Sequence, residues 1–316
     1  MSMHCREFIS FAAVLVLTAC GADQPAVQSV SSESASSMPS SPPTQTPTSA
    51  AVAVTPQEAP VVFNSIPYFG TPVSQLYLGE PVYRDEYPTT FHTMSDGSLC
   101  TSTLVGPRVL ITAAHCVEKS LSIRLDVQDG AATDKYYGFC STHPDYPGDK
   151  SADVALCLMA DAVPVTAFEN LETELAWAKV GGKIRLVGFG CITADMKKGN
   201  DGVLRQGETS ITSLPTTASN YVTTSGGVAL CPGDSGGPAF RPIDGSYDQR
   251  RIISVNSSVQ AFKVAEGEYV IDVDALSSSV SLFAAPKIKA FLKTWADGNG
   301  NPPMCGISPD APDCRQ

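Results

Sequence analysis

What most constrains this chain is the brevity of its apolar runs. Val109-Leu110-Ile111-Thr112, Val154-Ala155-Leu156-Cys157-Leu158, Ile184-Arg185-Leu186-Val187, Ile252-Ile253-Ser254-Val255 and Tyr269-Val270-Ile271 are each too short for a stable helix. They are rich in β-branched residues and are separated by turn formers, as a sandwich or barrel of many short strands requires. With 25 Gly, 24 Pro and only 17% charged residues, the composition agrees with an all-β domain. One segment departs from this pattern. Ile288, Phe291, Leu292 and Trp295 recur at helical spacing behind Pro286, which predicts an amphipathic helix over about 286–296, ended near Gly298.

Not all of the 316 residues have the composition to fold. From Gly21 to about Pro60 the chain is Ser, Thr, Pro, Ala and Gln, typified by Ser40-Ser41-Pro42-Pro43-Thr44, and cannot bury enough apolar surface to make a core. It is expected to act as a tether with a mean reach of ~40 Å. Ahead of it, Arg6 and the apolar run from Phe8 to Ala19 form an export signal too short to span a bilayer. That run ends in Leu17-Thr18-Ala19-Cys20, which resembles the lipobox of bacterial lipoproteins. The resemblance implies that Cys20 is acylated and becomes the first mature residue, and Gly21 rather than Asp after it favours the outer membrane. An ordinary export signal with a cysteine there by chance is the alternative. The expected organisation is a signal peptide at 1–19, a tether at 20–62, a folded domain at 63–299 and a cysteine-containing tail at 300–316.

Charge and cysteines narrow the function. A formal net charge of -11 repels polyanions, so nucleic acid is not an expected partner. Of 10 cysteines, Cys5 lies in the signal and Cys20 is the lipid site, leaving eight: Cys100, Cys116, Cys140, Cys157, Cys191, Cys231, Cys305 and Cys314. An even number suits disulfides in an oxidising compartment, and no Cys-x-x-Cys pair points to a metal. Neither metal nor cofactor is expected. Cys305 and Cys314 are close enough in the chain to close a small loop.

The most informative stretch is Cys231-Pro232-Gly233-Asp234-Ser235-Gly236-Gly237-Pro238. A serine hydroxyl is a poor nucleophile unless a base removes its proton, and the carbonyl it attacks needs N–H donors converging on its oxygen. Glycine at 233 permits the backbone to turn its N–H toward the same point as that of Ser235. The stretch matches the Gly-Asp-Ser-Gly-Gly-Pro motif of chymotrypsin-like serine proteases. Upstream, Ile111-Thr112-Ala113-Ala114-His115-Cys116 resembles the family's segment around the general base, and Ser151-Ala152-Asp153-Val154-Ala155-Leu156 its segment around the buried carboxylate. The order His115, Asp153, Ser235 is that of this family and differs from subtilisins and α/β-hydrolases. His92 and His143 lack the matching neighbours, and Asp145 and Asp149 sit among turn residues, so all four are expected to be structural or surface groups.

The resemblance runs from about Leu76 to Trp295. It implies two packed six-stranded antiparallel Greek-key β-barrels, over about 76–165 and 178–284, followed by the C-terminal helix. It assigns catalysis to His115, Asp153 and Ser235, and the oxyanion hole to the N–H groups of Gly233 and Ser235. It also implies a Cys100–Cys116 bridge, while Cys140 with Cys157 and Cys191 with Cys231 are guesses from position among ~100 possible pairings. Ala229, six positions before Ser235, falls at the base of the primary specificity pocket, where it offers a cation no partner; an uncharged P1 residue is expected. Ser254-Val255-Asn256 resembles the strand that holds the substrate backbone.

Many family members are activated when a freed N-terminal amine pairs with the aspartate before the serine, here Asp234. Leu76-Tyr77-Leu78-Gly79-Glu80 matches that N-terminal segment only loosely, and Gln75 is no trypsin site. A single-chain form with another cation on Asp234 is expected. The expected protein is a tethered, monomeric endopeptidase acting on proteins or peptides. A catalytically retired binding lipoprotein and an esterase are the alternatives.

Overall fold

The short apolar runs become strands because each leaves one face for a barrel interior and meets a turn before it can extend. The computed structural model describes Leu76 and residues 78–315, apart from 130–131, 192–201, 261, 266–267 and 272–275. The signal, tether and Cys20 therefore lie outside the described residues. The elements are β1 (Glu80–Pro81), β2 (Thr90–Ser95), β3 (Ser98–Gly106), β4 (Val109–Thr112), β5 (Ser122–Asp129), β6 (Ala132–Thr142), β7 (Ala155–Met159), β8 (Lys183–Gly188), β9 (Arg205–Ser213) and β10 (Tyr221–Ser225). They continue with β11 (Pro238–Ile243), β12 (Ser246–Gln260), β13 (Phe262–Ala265), β14 (Glu268–Ile271), β15 (Ser277–Leu282) and α1 (Pro286–Gly298).

Barrel one closes in the order β2-β3-β4-β7-β6-β5. Its β2–β3 hairpin turns at Asp96-Gly97, both at positive φ (45° and 77°), the conformation an Asp-Gly pair adopts most readily between twisted strands. Phe91, Leu104, Leu110, Leu125 and Met159 fill its interior, and the Cys140–Cys157 disulfide joins directly opposed residues of β6 and β7. Barrel two follows the order β9-β10-β15-β12-β11-β8 and closes through the β8–β9 pairing, with β1 laid along β9. Leu76, Ile184, Leu186, Ile211, Val222, Ile253 and Val280 form its core.

The two barrels meet across a third apolar cluster. Val109, Ile111 and Leu156 from barrel one pack with Val187, Phe240 and Val255 from barrel two, and Ile288, Leu292 and Trp295 of α1 join them. The helical spacing seen in the sequence is thus the face that closes this seam. Pro286 stands in the first turn, where its missing N–H costs nothing. Beyond the helix, the Cys305–Cys314 loop docks on the same seam, where Met304 and Ile307 join the apolar cluster of α1. Cys305 N–H donates to Val105 of barrel one, and the Leu171 and Phe168 amides of the inter-barrel connection donate to Cys305 and Asp313.

A buried ion pair sits at the same seam. Glu169 is fully enclosed and receives Arg250 Nη2 at 2.6 Å, while the Arg250 guanidinium lies 4.2 Å from the Tyr87 ring centre and 4.8 Å from that of Phe240. Thr89 Oγ1 donates to the same carboxylate at 3.3 Å and Arg315 Nε approaches it to 3.5 Å. Removing one partner strands the other charge away from water. Glu169→Ala is expected to lower unfolding stability by about 3–5 kcal/mol in urea denaturation, and Glu169→Leu/Arg250→Met by much less, because the one cation then left without Glu169, Arg315, is partly exposed to water.

Candidate active site

β4 runs into a short 3-10 turn, Ala114–Cys116, that lifts His115 out of the barrel. Ala113 and Ala114 are wholly buried, so only side chains this small let the turn lie against the core. The Cys100–Cys116 disulfide ties the turn to β3. Asp153 follows a second 3-10 turn, Lys150–Ala152, and is 2% exposed. Its Oδ2 lies 2.7 Å from His115 Nδ1 and its Oδ1 accepts the His115 backbone N–H at 2.9 Å. Two contacts from one carboxylate fix both the ring and the backbone that carries it. With Nδ1–H donating to Asp153, Nε2 is left with the lone pair.

Burial disfavours a charged imidazole, but the Asp153 hydrogen bond and charge together outweigh it, so the His115 pKa stands above its ordinary value. A third donor completes the carboxylate: Ser257 Oγ, from barrel two, reaches Asp153 Oδ2 at 2.7 Å.

Ser235 is delivered by the loop between β10 and β11. Its carbonyl accepts the Thr101 N–H at 2.8 Å and lies 3.7 Å from the Cys116 sulfur, which sets the serine beside the His115 turn. Thr101 Oγ1 donates to the Gly233 carbonyl at 2.8 Å, so one residue of barrel one grips both peptides of the loop. Gly236 is at φ +78°, and a Cβ there would stand 2.0 Å from Thr112 Oγ1 and 2.4 Å from the Thr101 carbonyl; only glycine admits this approach. Gly233 is also at positive φ, 104°.

The loop's amides divide into used and unused. Asp234 N–H donates to Cys231, Gly236 N–H to Asn256 and Gly237 N–H to Asp234, whereas among the described residues the N–H groups of Gly233 and Ser235 have no protein acceptor. Amides left unpaired beside a serine are free to donate to an incoming oxygen. Among the described residues no hydrogen bond joins Ser235 Oγ to the His115 ring, a contact that in unliganded sites often tightens only with substrate. Asp234 itself is fully buried. Desolvation pushes its carboxyl up to about 7, against the opposing pull of the Gly190 and Cys231 amides and of Arg205.

The other singled-out residues fall elsewhere. His143 is buried, with Nδ1 accepting from the Asp145 amide and Nε2 3.3 Å from the Lys287 carbonyl, and His92 stacks on Phe189. Asp145 pairs with Lys287 at the surface, and Asp149 accepts from the Ser151 amide. The Cys100 and Cys116 sulfurs lie within 4.8 Å of a His115 ring nitrogen, but their disulfide leaves no thiolate to hold a metal. Cys191–Cys231 and Cys305–Cys314 are also bonded. Ala229 is buried between Val228 and Leu230.

Ser254-Val255-Asn256 requires a correction. All three are completely buried, so none is placed to hold a substrate backbone. Asn256 Nδ2 turns inward to the Val187 and Asp234 carbonyls at 3.0 and 3.2 Å. The register shifts between Asn256 and Ser258, and it is Ser257, just at that irregularity, that reaches Asp153.

Two antiparallel barrels with an imidazole and a carboxylate on one, and a serine between unused amides on the other, define the class of two-barrel serine hydrolase folds. The sequence model of the trypsin family matches residues 78–278, well over half of the chain, and the chain belongs to that family. Among solved structures it resembles neuropsin, a serine protease expressed in the limbic system of mouse brain. The two share 21% identity with a TM-score of 0.53, over 70% of this chain and 98% of that one, a likeness of fold. No curated protein matches the chain.

If neutral His115 is the base, kcat/KM falls as pH drops through its raised pKa. Asp153→Asn removes the group that raises it, so the acid limb of the pH–rate profile is expected to move to lower pH while kcat falls about 10⁴-fold, the loss the same change causes in the Ser-His-Asp triad of a well-studied trypsin-family protease.

Proposed function

We propose that this protein is a serine endopeptidase. His115 Nε2 takes the proton from Ser235 Oγ as the oxygen attacks the scissile carbonyl. The N–H groups of Gly233 and Ser235 then receive the developing oxyanion, and Asp153 stabilises the imidazolium. His115 returns the proton to the leaving amine, and water, activated by the same imidazole, hydrolyses the acyl-enzyme. One observation carries this reading: a buried carboxylate holds His115 by ring and backbone, beside a serine loop whose two outer amides are unused.

The pocket side of the loop supports an uncharged P1 residue. Val228, Ala229 and Leu230 are all buried and apolar, and no acid stands among them to meet Lys or Arg. Export and anchoring rest on the sequence: the Leu17-Thr18-Ala19-Cys20 lipobox and the polar tether after it favour a lipid-anchored protein on the outer membrane, acting as a monomer on peptide or protein substrates. The disulfides fit an exported protein, and among the described residues no helix is long and apolar enough to cross a membrane.

A fluorophosphonate is expected to label Ser235 in the wild-type protein and not in His115→Ala. Absence of labelling in both would turn the reading toward a retired binding protein. Casein cleavage against p-nitrophenyl ester hydrolysis separates a protease from an esterase, and a peptide library is expected to show cleavage after uncharged residues, with clean cleavage after Lys or Arg overturning the pocket assignment.

A further inference from the structure

Asp234 poses a problem that the catalytic reading leaves open. A carboxyl closed off from water beside the oxyanion amides keeps its charge only as far as donors and a counter-charge offset its lost hydration. The donors are the Gly190 amide at 2.7 Å and the Cys231 amide at 2.9 Å. The space is made by glycine: a Cβ at Gly188 would stand 2.3 Å from Asp234 Oδ1, and one at Gly190 within 2.5 Å of three atoms of the carboxylate.

The candidate counter-charge lies across the sheet. Arg205 is paired with Gly188 in the β8–β9 register, and directly opposed residues of an antiparallel pair project from the same face. The direction in which Gly188 would meet Asp234 is therefore the direction in which the Arg205 side chain leaves its strand. Arg205 is completely buried, with Nη1 donating to the Val203 carbonyl at 2.8 Å; it makes no direct ion pair with Asp234, and its charge acts on that carboxyl from beyond contact distance. The Cys191–Cys231 disulfide closes the same cradle, joining the residue after one amide donor to the other donor, and Cys191 N–H donates to the Pro232 carbonyl at 2.9 Å. Meanwhile the Leu76 side chain already fills the core of barrel two and Pro81 lies opposite Arg205, in a chain that continues upstream of Leu76.

We infer that Arg205 is a built-in counter-ion for Asp234 and a positioning residue for the Gly233 and Ser235 amides, so that Ser235 is reactive while the Gln75–Leu76 bond is intact. The inference rests on Ser235 being the nucleophile. The full chain is purified uncut, treated with a fluorophosphonate and weighed, and labelling rate, kcat and KM are compared across variants. The labelled wild-type species is expected to retain residues upstream of Leu76. Arg205→Met is expected to lower kcat and labelling about 10²–10³-fold with KM little changed, as loss of an oxyanion donor does. Arg205→Lys, which keeps the charge, is expected to recover most of that loss. Asp234→Asn is expected to be slow by itself, and adding Arg205→Met to it to cost less than about twofold more, because residues acting as one unit are not additive. This double variant leaves neither charge buried alone and decides the matter if Arg205→Met does not fold. Labelling only of a chain that begins at Leu76, full-rate labelling of Arg205→Met, or losses that multiply in the double variant would each overturn the inference while leaving the protease reading in place. Labelling of neither the intact nor the cut chain would remove both.

Discussion

The contact between Ser257 and Asp153 crosses from one barrel to the other, and the candidate chemistry depends on that crossing being permanent. Asp153 and His115 belong to barrel one; the serine that donates to Asp153 and the serine loop itself belong to barrel two. Thr101 repeats the crossing in the opposite direction, since a residue of β3 holds the carbonyls of Gly233 and Ser235. These bonds are short and directional, so a shift of the barrels by even an ångström would break several together. Rigid docking is therefore a condition of function here as well as of stability.

The seam has three independent fastenings, and they differ in physical kind. The apolar cluster around Phe240 and Trp295 gives non-directional cohesion. The Glu169–Arg250 pair gives direction, because a buried guanidinium tolerates only the arrangement that meets its carboxylate. The tail contributes a covalent loop whose backbone bonds to β3 and to the inter-barrel connection. A purely apolar seam would hold the barrels together yet allow sliding; the polar fastenings select one register, and the Thr101 and Ser257 contacts then find their partners.

Legibility in the sequence followed chain distance. His115 with its small neighbours, and Gly233 to Pro238, are contiguous words, and the strands and the helix follow from local periodicity. Thr101 meets Gly233 across 132 positions and Ser257 meets Asp153 across 104, and a lone Thr or Ser carries no local mark of such a partner. The Ser254-Val255-Asn256 segment is matched by likeness to a short family word, and β12 carries more than one serine that could begin it. Ser254, Ser257 and Ser258 lie within five residues of β12, and it is Ser257, beside the register shift between Asn256 and Ser258, that reaches Asp153. The Cys305–Cys314 loop was legible from its spacing, but its docking against Val105 and Phe168 was not, because those contacts join the tail to internal segments far away in the chain that share no pattern with it.

Arg205 illustrates the same limit from the side of charge. In sequence it is one cation among 21 Lys and Arg, on a strand whose neighbours give no sign that it is enclosed. Its meaning comes from two glycines on another strand and turn. Gly188 and Gly190 remove the side chains that would otherwise occupy the space of the Asp234 carboxylate, and the strand pairing then brings a guanidinium to the same face. A buried carboxylate, glycines that make room for it and a cation opposite them form one unit, although no two of the three belong to a common motif. Where a loop must be ordered to hold two amides unpaired, the stabilising contacts have to fall on its other groups: here the Asp234 side chain, the Gly233 and Ser235 carbonyls and the Cys231 sulfur are each engaged, and the two N–H groups are what remains.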